Sequence, residues 1–423
     1  MGNYRRHIPI LVFSISLFCL SASIFASEST TPEPRIRWPK GAITLYVSSS
    51  FYTGGSAFKT DSDVIGALER SLKKWEDAAD IRFDLLRSEQ VAVSPSGAAG
   101  DGVSLITVAP VAENILVFTK DLARASAMTR LFFDRQGRIT EADIVLNPAY
   151  QFSTDRTFGT YDLETIFTHE IGHLLGLDHS RIGSAIMVDG IPKNQLFEAN
   201  NHPRSLSTQD IAGIRGLYGA GLSDPECCGM IQGRPSWGGQ KPPDELLAWA
   251  QDKATGAIVQ ASGASKGGTF ELGGLASGKY DVLIQAMNES GSGAVSLGNV
   301  AIELGDNKFV TKTVKLVPAA ARLEAIGTDG QLSRRAVRME AGRSYRLLVG
   351  GGGLDQKGLI FGATSPLISV KAGSQPIQSF EGGLPVVFLE VDVDSSVTRG
   401  EYSLFVEGPS GQRRYFVGAL SVN

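Results

Sequence analysis

Three histidines within THEIGHLLGLDHS, residues 168–180, restrict the local fold of this chain more than any other feature. His169 and His173 are four residues apart, and on an α-helix that spacing places both side chains on one face. Gly176 follows three residues later, and glycine can take the positive φ that ends a helix and turns the chain. We therefore predict a helix that ends near Gly176 and a turn that returns His179 to the first two histidines.

Three converging imidazoles favour a metal site with one open position. Neutral imidazoles suit Zn²⁺, and three of them leave the fourth position of a tetrahedral ion for water, as in catalytic zinc sites. Glu170 can reach that open side without occupying it. The sequence therefore predicts one catalytic zinc ion on His169, His173 and His179, with Glu170 beside it. His202, in a polar loop, is expected at the surface.

Length, glycine content and charge limit the class of protein. A chain of 423 residues is longer than one typical domain. Its 49 glycines exceed the usual share of roughly 7%, which suits turn-rich β domains. The formal net charge of −4 leaves no basic stripe for a phosphate backbone, so nucleic acid is not an expected partner.

The N-terminal segment has the pattern of a secretion signal. Two arginines precede an apolar run that ends near Phe25, and Ala26 offers a small residue for cleavage. We expect a signal peptide over residues 1–26 and a secreted chain, extracellular or periplasmic, with no membrane contact after cleavage. An uncleaved membrane anchor is the alternative, because the run is almost long enough to span a bilayer.

Two adjacent cysteines, Cys227 and Cys228, remain after removal of that segment. Neighbouring cysteines cannot close a loop. They could form a vicinal disulfide, pair with another chain or stay reduced, and the sequence leaves all three open.

The first block of the chain, residues 35–221, mixes strand and helix patterns and predicts an α+β domain. Strand patterns lie at 41–47, 81–86 and 103–110, and a hairpin pattern lies at 128–147. Helix patterns lie at 64–79, 162–177 and 208–219. We expect the strand at 128–133 or the strand at 139–146 to be the edge that pairs with an extended peptide.

Helix patterns nearly vanish beyond a boundary with proline and glycine at 223–229. A short helix pattern lies at 244–248 and overlaps the first of several β-rich runs, at 246–261, which alternate with glycine turns. We predict two all-β sandwich domains, over 229–317 and 318–423.

The histidine motif and its surroundings resemble a known protease family. HEIGHLLGLDH, followed by SAIMV with Met187 eight residues after His179, resembles the motif and methionine turn of the metzincins. Serine directly after the third histidine and the stretch LSTQDIAGIRGLYG are similar to the matrixin branch. The likeness covers about residues 37–219, and it implies the zincin fold and a secreted zinc endopeptidase acting on proteins or peptides.

The resemblance also implies a role for each residue of the motif. His169, His173 and His179 would bind zinc, and Glu170 would act as the catalytic general base. Met187 would lie beneath the metal as a structural residue.

Several features depart from the matrixin pattern. Val188 and Asp189 replace the usual tyrosine and proline, so the wall of the S1′ pocket cannot be transferred. Too few histidines remain for the second, structural zinc of animal matrixins, so we expect one zinc per chain. Asp134, Glu141 or Asp143 could bind calcium, although a hairpin and a solvated face explain them more simply. Without a cysteine-bearing propeptide, we expect activity without a further N-terminal cut.

The C-terminal blocks resemble accessory modules. Residues 229–317 are similar to a carboxypeptidase regulatory-like domain, and 318–423 resemble, loosely, a bacterial immunoglobulin-like domain. Such modules could contact a cell surface or matrix, and the combination suggests a bacterial secreted protein. A competing hypothesis is a secreted binding or adhesion protein with a vestigial protease domain, and another is a zinc hydrolase for non-protein substrates. Every catalytic position of the motif is intact, which favours an active endopeptidase.

Overall fold

The computed structural model describes most of the chain beyond residue 34. The described residues are 35–53, 56–95, 100–118, 125–195, 203–220, 224, 227–239, 241–265, 267–287, 292–328, 331–373, 378–379 and 384–423. The expected signal peptide, His202 and part of the 223–229 boundary lie outside them. No helix of the described part is long and apolar enough to cross a membrane.

A five-stranded sheet and the α-helices of the described chain form the first block. The helices are α1 (Val64–Ala78), α2 (Ala112–Leu116), α3 (Leu163–Leu174) and α4 (Thr208–Tyr218). The strands are β1 (Ala42–Ser48), β2 (Arg82–Ser88), β3 (Leu105–Thr107), β4 (Ala127–Phe133) and β5 (Ile139–Leu146), with a short pair β6 (Phe152–Ser153) and β7 (Tyr161–Asp162). Their order in the main sheet is β2-β1-β3-β5-β4, and β4 is antiparallel to its neighbour. The strand and helix patterns predicted for this block all correspond to elements of this set.

Side-chain caps fix where the long helices begin. Asp63 caps α1, and Asp162 caps α3 by accepting a hydrogen bond from the backbone of Thr165. Ser207 and Asp210 form a capping box at the start of α4. Buried Trp75 of α1 donates its indole N–H to the Thr168 carbonyl at 2.9 Å, which ties α1 to the helix that carries the histidines.

Strand β4 lies at an edge of the sheet as far as the chain is described, whereas β5 lies between β3 and β4. Of the two candidate edge strands, 128–133 is therefore at an edge and 139–146 is not. Partners on both sides explain why seven of the eight positions in β5 are buried.

The described residues beyond 226 form strands and no α-helix. The strands are β8 (Cys227–Gly233), β9 (Leu246–Asp252), β10 (Ile258–Ala264), β11 (Phe270–Ala276), β12 (Gly278–Ala286), β13 (Val295–Ile302), β14 (Asn307–Val310), β15 (Ala325–Gly327), β16 (Val337–Met339), β17 (Ser344–Gly350), β18 (Ile360–Ala363), β19 (Ile368–Ala372), β20 (Gln378–Ser379), β21 (Pro385–Val393), β22 (Gly400–Glu407) and β23 (Arg413–Val422). Cys227 and Cys228 are joined in a vicinal disulfide.

The short helix predicted at 244–248 is wrong, because this region leads into strand β9. Strand β9 pairs with β10 on one side and β12 on the other, and residues 246–250 are buried. A strand buried on both faces is a continuous apolar run, which periodicity alone cannot distinguish from a buried helix.

One eight-stranded sheet crosses the predicted boundary between 229–317 and 318–423. Strands β13, β12, β9 and β10 continue into β22, β23 and β16, with β18 also paired to β22. Strands β10 and β22 connect the two parts of this sheet through the pairing of Ile258 with Glu401. The two domain limits stay predictions, and the sheet shows that the two regions are in direct contact.

A separate buried cluster joins the loop after α3 to this sheet. The loop contributes Ile182 and Ala185, which lie between the third histidine and Met187. The sheet contributes Leu247, Trp249, Ile258, Ala261 and Val417. The loop beside the histidine motif therefore packs directly on the C-terminal strands.

Candidate metal centre

The structure brings the three predicted histidines together. His169 and His173 extend from one face of α3, and their Nε2 atoms are 3.1 Å apart. Gly176 has a φ of 94°, and a β-carbon there would overlap the Ile36 carbonyl. The turn at this glycine returns His179, whose Nε2 lies 3.2 Å from that of His173.

The hydrogen bonds of the rings prepare this cluster for a metal ion. His169 Nδ1 lies 2.7 Å from the Ile186 carbonyl, and His173 Nδ1 lies 2.8 Å from the Leu177 carbonyl. A carbonyl oxygen only accepts, so each Nδ1 carries the hydrogen and each Nε2 keeps its lone pair. Two nitrogens bound to one tetrahedral Zn²⁺ at about 2.0–2.1 Å would lie about 3.3 Å apart, close to the observed spacing. The three ligand atoms can therefore hold one ion.

The surroundings favour the neutral form of the rings. Burial lowers the pKa of His173. Burial, followed by the neighbouring His173, lowers the pKa of His179. Neutral imidazole is the form that binds a metal. The exposed Asp189 carboxylate lies 3.8 Å from His179 Nδ1.

Glu170 lies in the same site with its carboxylate held by Thr129. The side chain of Glu170 is almost fully buried, and Thr129 Oγ1 lies 2.6 Å from Oε2 and 3.0 Å from the backbone oxygen of Glu170. Burial raises the pKa of Glu170 to about 7, opposed by the Thr129 hydroxyl and by His179. Sequence reasoning missed Thr129, because it lies on β4 and no local pattern connects it to α3.

Met187 packs against the histidine helix. Its side chain is 2% exposed, and its sulfur occupies the space where a β-carbon at Gly172 would be. Gly172 directly precedes His173, so the methionine lies against the backbone between the two helical histidines. The role of Met187 beneath a metal ion stays a prediction.

Asp210 fixes the turn that contains Met187. Its carboxylate is 2% exposed and accepts hydrogen bonds from the amides of Ile186 and Met187, at 2.8 and 3.2 Å. It also accepts from the Ser207 amide and hydroxyl, at 2.8 and 2.7 Å. Burial raises the pKa of Asp210, and these hydrogen bonds oppose the shift. Sequence reasoning missed the role of Asp210, because no local pattern connects it to the turn that contains Met187.

A cleft of about 700 Å³ opens over the cluster. Residues 125–129 and Leu131, on and before edge strand β4, line it together with the histidines and Glu170. Residues 189–191 also belong to its lining. An open sheet edge beside a cleft is suited to pairing with an extended peptide.

The three carboxylates considered for calcium have other partners. Asp134 accepts from the amides of Gln136 and Arg138, which serves the hairpin turn. Glu141 accepts from the Gly102 amide at 2.5 Å, and Asp143 accepts from the Leu105 amide at 3.1 Å. Burial raises the pKa of Asp143 to about 6. Calcium binding stays a prediction.

Comparison with known proteins relates the site to one peptidase family. The model of Peptidase_M10, Matrixin, matches residues 116–219. Metalloendoproteinase 1-MMP of Arabidopsis thaliana is 44% identical over 193 residues, which cover 43% of this chain and 44% of that protein. Matrix metalloproteinase-19 of Homo sapiens is 37% identical over 102 residues, covering 23% and 19%. The chain thus spans less than half the length of these relatives.

A likeness to solved structures adds nothing to this assignment. BcpA, the major pilin subunit of Bacillus cereus, matches with a TM-score of 0.16 and 13% identity, over 44% of this chain and 66% of that chain. That TM-score is too low to indicate a shared fold. The matrixin match covers residues 116–219, a span that includes all three histidines and Glu170.

Proposed function

We propose that this chain is a secreted, zinc-dependent endopeptidase of the matrixin type, extracellular or periplasmic, with proteins or peptides as substrates. The observation that carries the proposal is the convergence of three imidazole Nε2 atoms beside a buried glutamate, in a cleft along a sheet edge. His169, His173 and His179 would hold a single zinc ion, and Met187 would support them from beneath. Secretion rests on the N-terminal pattern alone.

The residues of the site suggest how the reaction proceeds. When bound, zinc supplies Lewis-acid chemistry that polarises a carbonyl group and lowers the pKa of water. Glu170 takes the proton of the attacking water and later gives it to the leaving amine. The Thr129 hydroxyl donates to Oε2, one of the two oxygens of this carboxylate. Edge strand β4 pairs with the extended substrate and holds its scissile bond over the cluster.

We expect one zinc ion per chain and cleavage of unfolded casein that depends on it. Treatment with 1,10-phenanthroline should abolish cleavage, and added zinc should restore it, because the proposed site holds its zinc through three histidines. The checks are metal analysis and a casein assay, with the non-chelating 1,7-phenanthroline as the matched control. Two tightly held zinc ions per chain would contradict the single site. A folded, zinc-loaded chain that cleaves neither casein nor a broad peptide library would favour the vestigial protease instead.

Thr129→Val should weaken the general base without removing it. The Thr129 hydroxyl lowers the pKa of Glu170, so its loss raises that pKa and moves the acidic limb of the pH–rate profile upward, by about one pH unit. Below the new midpoint of this limb a smaller fraction of Glu170 is ionised, so kcat/KM of the variant falls below that of the parent chain. Well above the midpoint, kcat/KM approaches the parent value. The measurement is kcat/KM against pH. Thr140→Val, an exposed threonine on β5, is the control. An unshifted limb would show that the hydroxyl does not act on Glu170.

A further inference from the structure

The segment that follows the third histidine, residues 182–191, has two different faces. We refer to it as the wall segment. Asp189, Gly190 and Ile191 line the cleft. Ile182 and Ala185 are fully buried among side chains of β9, β10 and β23. One wall of the cleft is therefore supported from behind by strands of the C-terminal region.

The backbone of the C-terminal region lies directly against the wall segment. A β-carbon at Gly183 would lie 2.6 Å from the Ala336 amide nitrogen and 2.8 Å from the Arg334 carbonyl oxygen. A β-carbon at Gly418, whose φ is 65°, would lie 2.5 Å from Ile182 Cγ2. Neither Gly183 nor Gly418 has room for a side chain. The wall segment and the C-terminal region are therefore closely packed against each other.

Helix α4 is attached to the same strands. The Thr208 hydroxyl lies 3.0 Å from the Ile258 carbonyl and also contacts the Glu401 carboxylate. Gln209 donates to the Ala261 carbonyl at 2.7 Å and accepts from the Ala261 amide at 2.6 Å. Because α4 carries Asp210, the element that pins the methionine turn is itself fixed by β10 and β22.

Arg335 contacts a residue that lines the cleft. Its Nη2 donates to the carbonyl of Gly190, a residue that lines the cleft. Backbone hydrogen bonds fix the chain on both sides of Gly190, at Val188 and at Asn194. Burial lowers the pKa of the Arg335 guanidinium, so the contact is made in a partly dehydrated setting, where a charged hydrogen bond is stronger.

We propose that Arg335 is a positioning residue of the substrate cleft, through which the C-terminal region fixes the wall at Gly190 and so determines which substrate side chains fit there. The inference rests on the proposed peptidase function. In this proposal the C-terminal strands help to shape the substrate cleft and are more than a spacer. Arg335 does not touch the reacting atoms, so its loss should change selectivity more than the chemical step.

The test uses the full chain and the variants Arg335→Met, Arg335→Lys and Arg334→Met. Methionine keeps an apolar stem of similar length and removes the guanidinium, and lysine keeps the charge. Arg334 is the exposed neighbouring arginine and serves as the matched control. Hydrogen–deuterium exchange over residues 182–191 measures how well the backbone of the wall segment is held in place, and it does not require an active enzyme. A peptide panel that varies the residue after the scissile bond reports on selectivity.

For Arg335→Met we expect faster exchange in the wall segment and a change of at least about fivefold in the kcat/KM ratio between panel peptides. The zinc content should stay the same, Arg335→Lys should restore part of the selectivity, and Arg334→Met should match the parent chain. Unchanged exchange and unchanged ratios in folded Arg335→Met and Arg335→Lys would overturn the inference. If the parent chain cleaves no peptide, the proposed function fails, and the exchange experiment alone decides whether Arg335 holds the wall.

Discussion

Glu170→Gln lowers kcat/KM for peptide cleavage by roughly 10²–10⁴-fold and leaves the zinc content of the chain unchanged. Glutamine has nearly the same shape as glutamate and can still accept the Thr129 hydrogen bond at 2.6 Å, so the cleft should keep its form. The amide cannot take a proton from water near neutral pH. The loss should therefore fall mainly on kcat, because the affected interaction belongs to the transition state.

The measurement compares steady-state kinetics and bound zinc in the same preparations. Glu69→Gln, at an exposed glutamate on α1, controls for the loss of one negative charge and should behave like the parent chain. If Glu170→Gln kept activity within about tenfold of the parent while holding its zinc, another group would have to be the base. If it lost its zinc as well, the effect would be structural and would say nothing about proton transfer.

The site was predictable wherever its parts lie close together in the chain. The spacing of His169 and His173 and the glycine at 176 were enough to predict the helix, its end and the return of His179, since each depends on local backbone geometry. Thr129 and Asp210 were not predictable as parts of the site. Their contacts join segments that are far apart in sequence, and a single sequence contains no signal for such pairs.

The same distinction applies to the fold. Amphipathic α1 and the hairpin of β4 and β5 had clear periodic patterns. The apolar run at the start of β9 had no periodic pattern that distinguishes a strand from a helix. The order of strands decides which of β4 and β5 is the edge, and that order is a property of the whole sheet. The close contact of the wall segment with Ala336 and Gly418 was likewise outside the reach of local patterns, so the C-terminal blocks were expected only as accessory modules.

Asp210→Ala should destabilise the chain and weaken its hold on zinc. The substitution leaves the buried amides of Ile186 and Met187 and the Ser207 hydroxyl without their acceptor, and we expect the free energy of unfolding to fall by about 3–5 kcal/mol. The Ile186 carbonyl binds His169 Nδ1, so a loosened turn also releases the ring that it orients. Zinc affinity should fall by roughly 10–100-fold, as for other residues that orient metal ligands.

Ser207→Ala separates the two roles of Asp210. It removes the hydroxyl that caps α4 and should cost about 1 kcal/mol, but it leaves the two amide bonds from Asp210 to the turn in place. Chemical denaturation and competition for zinc with a chelator of known affinity are the measurements. If both variants lost zinc affinity equally, Asp210 would act only as a helix cap. A loss confined to Asp210→Ala would mean that the path from Asp210 through the methionine turn to His169 maintains the geometry of the metal site.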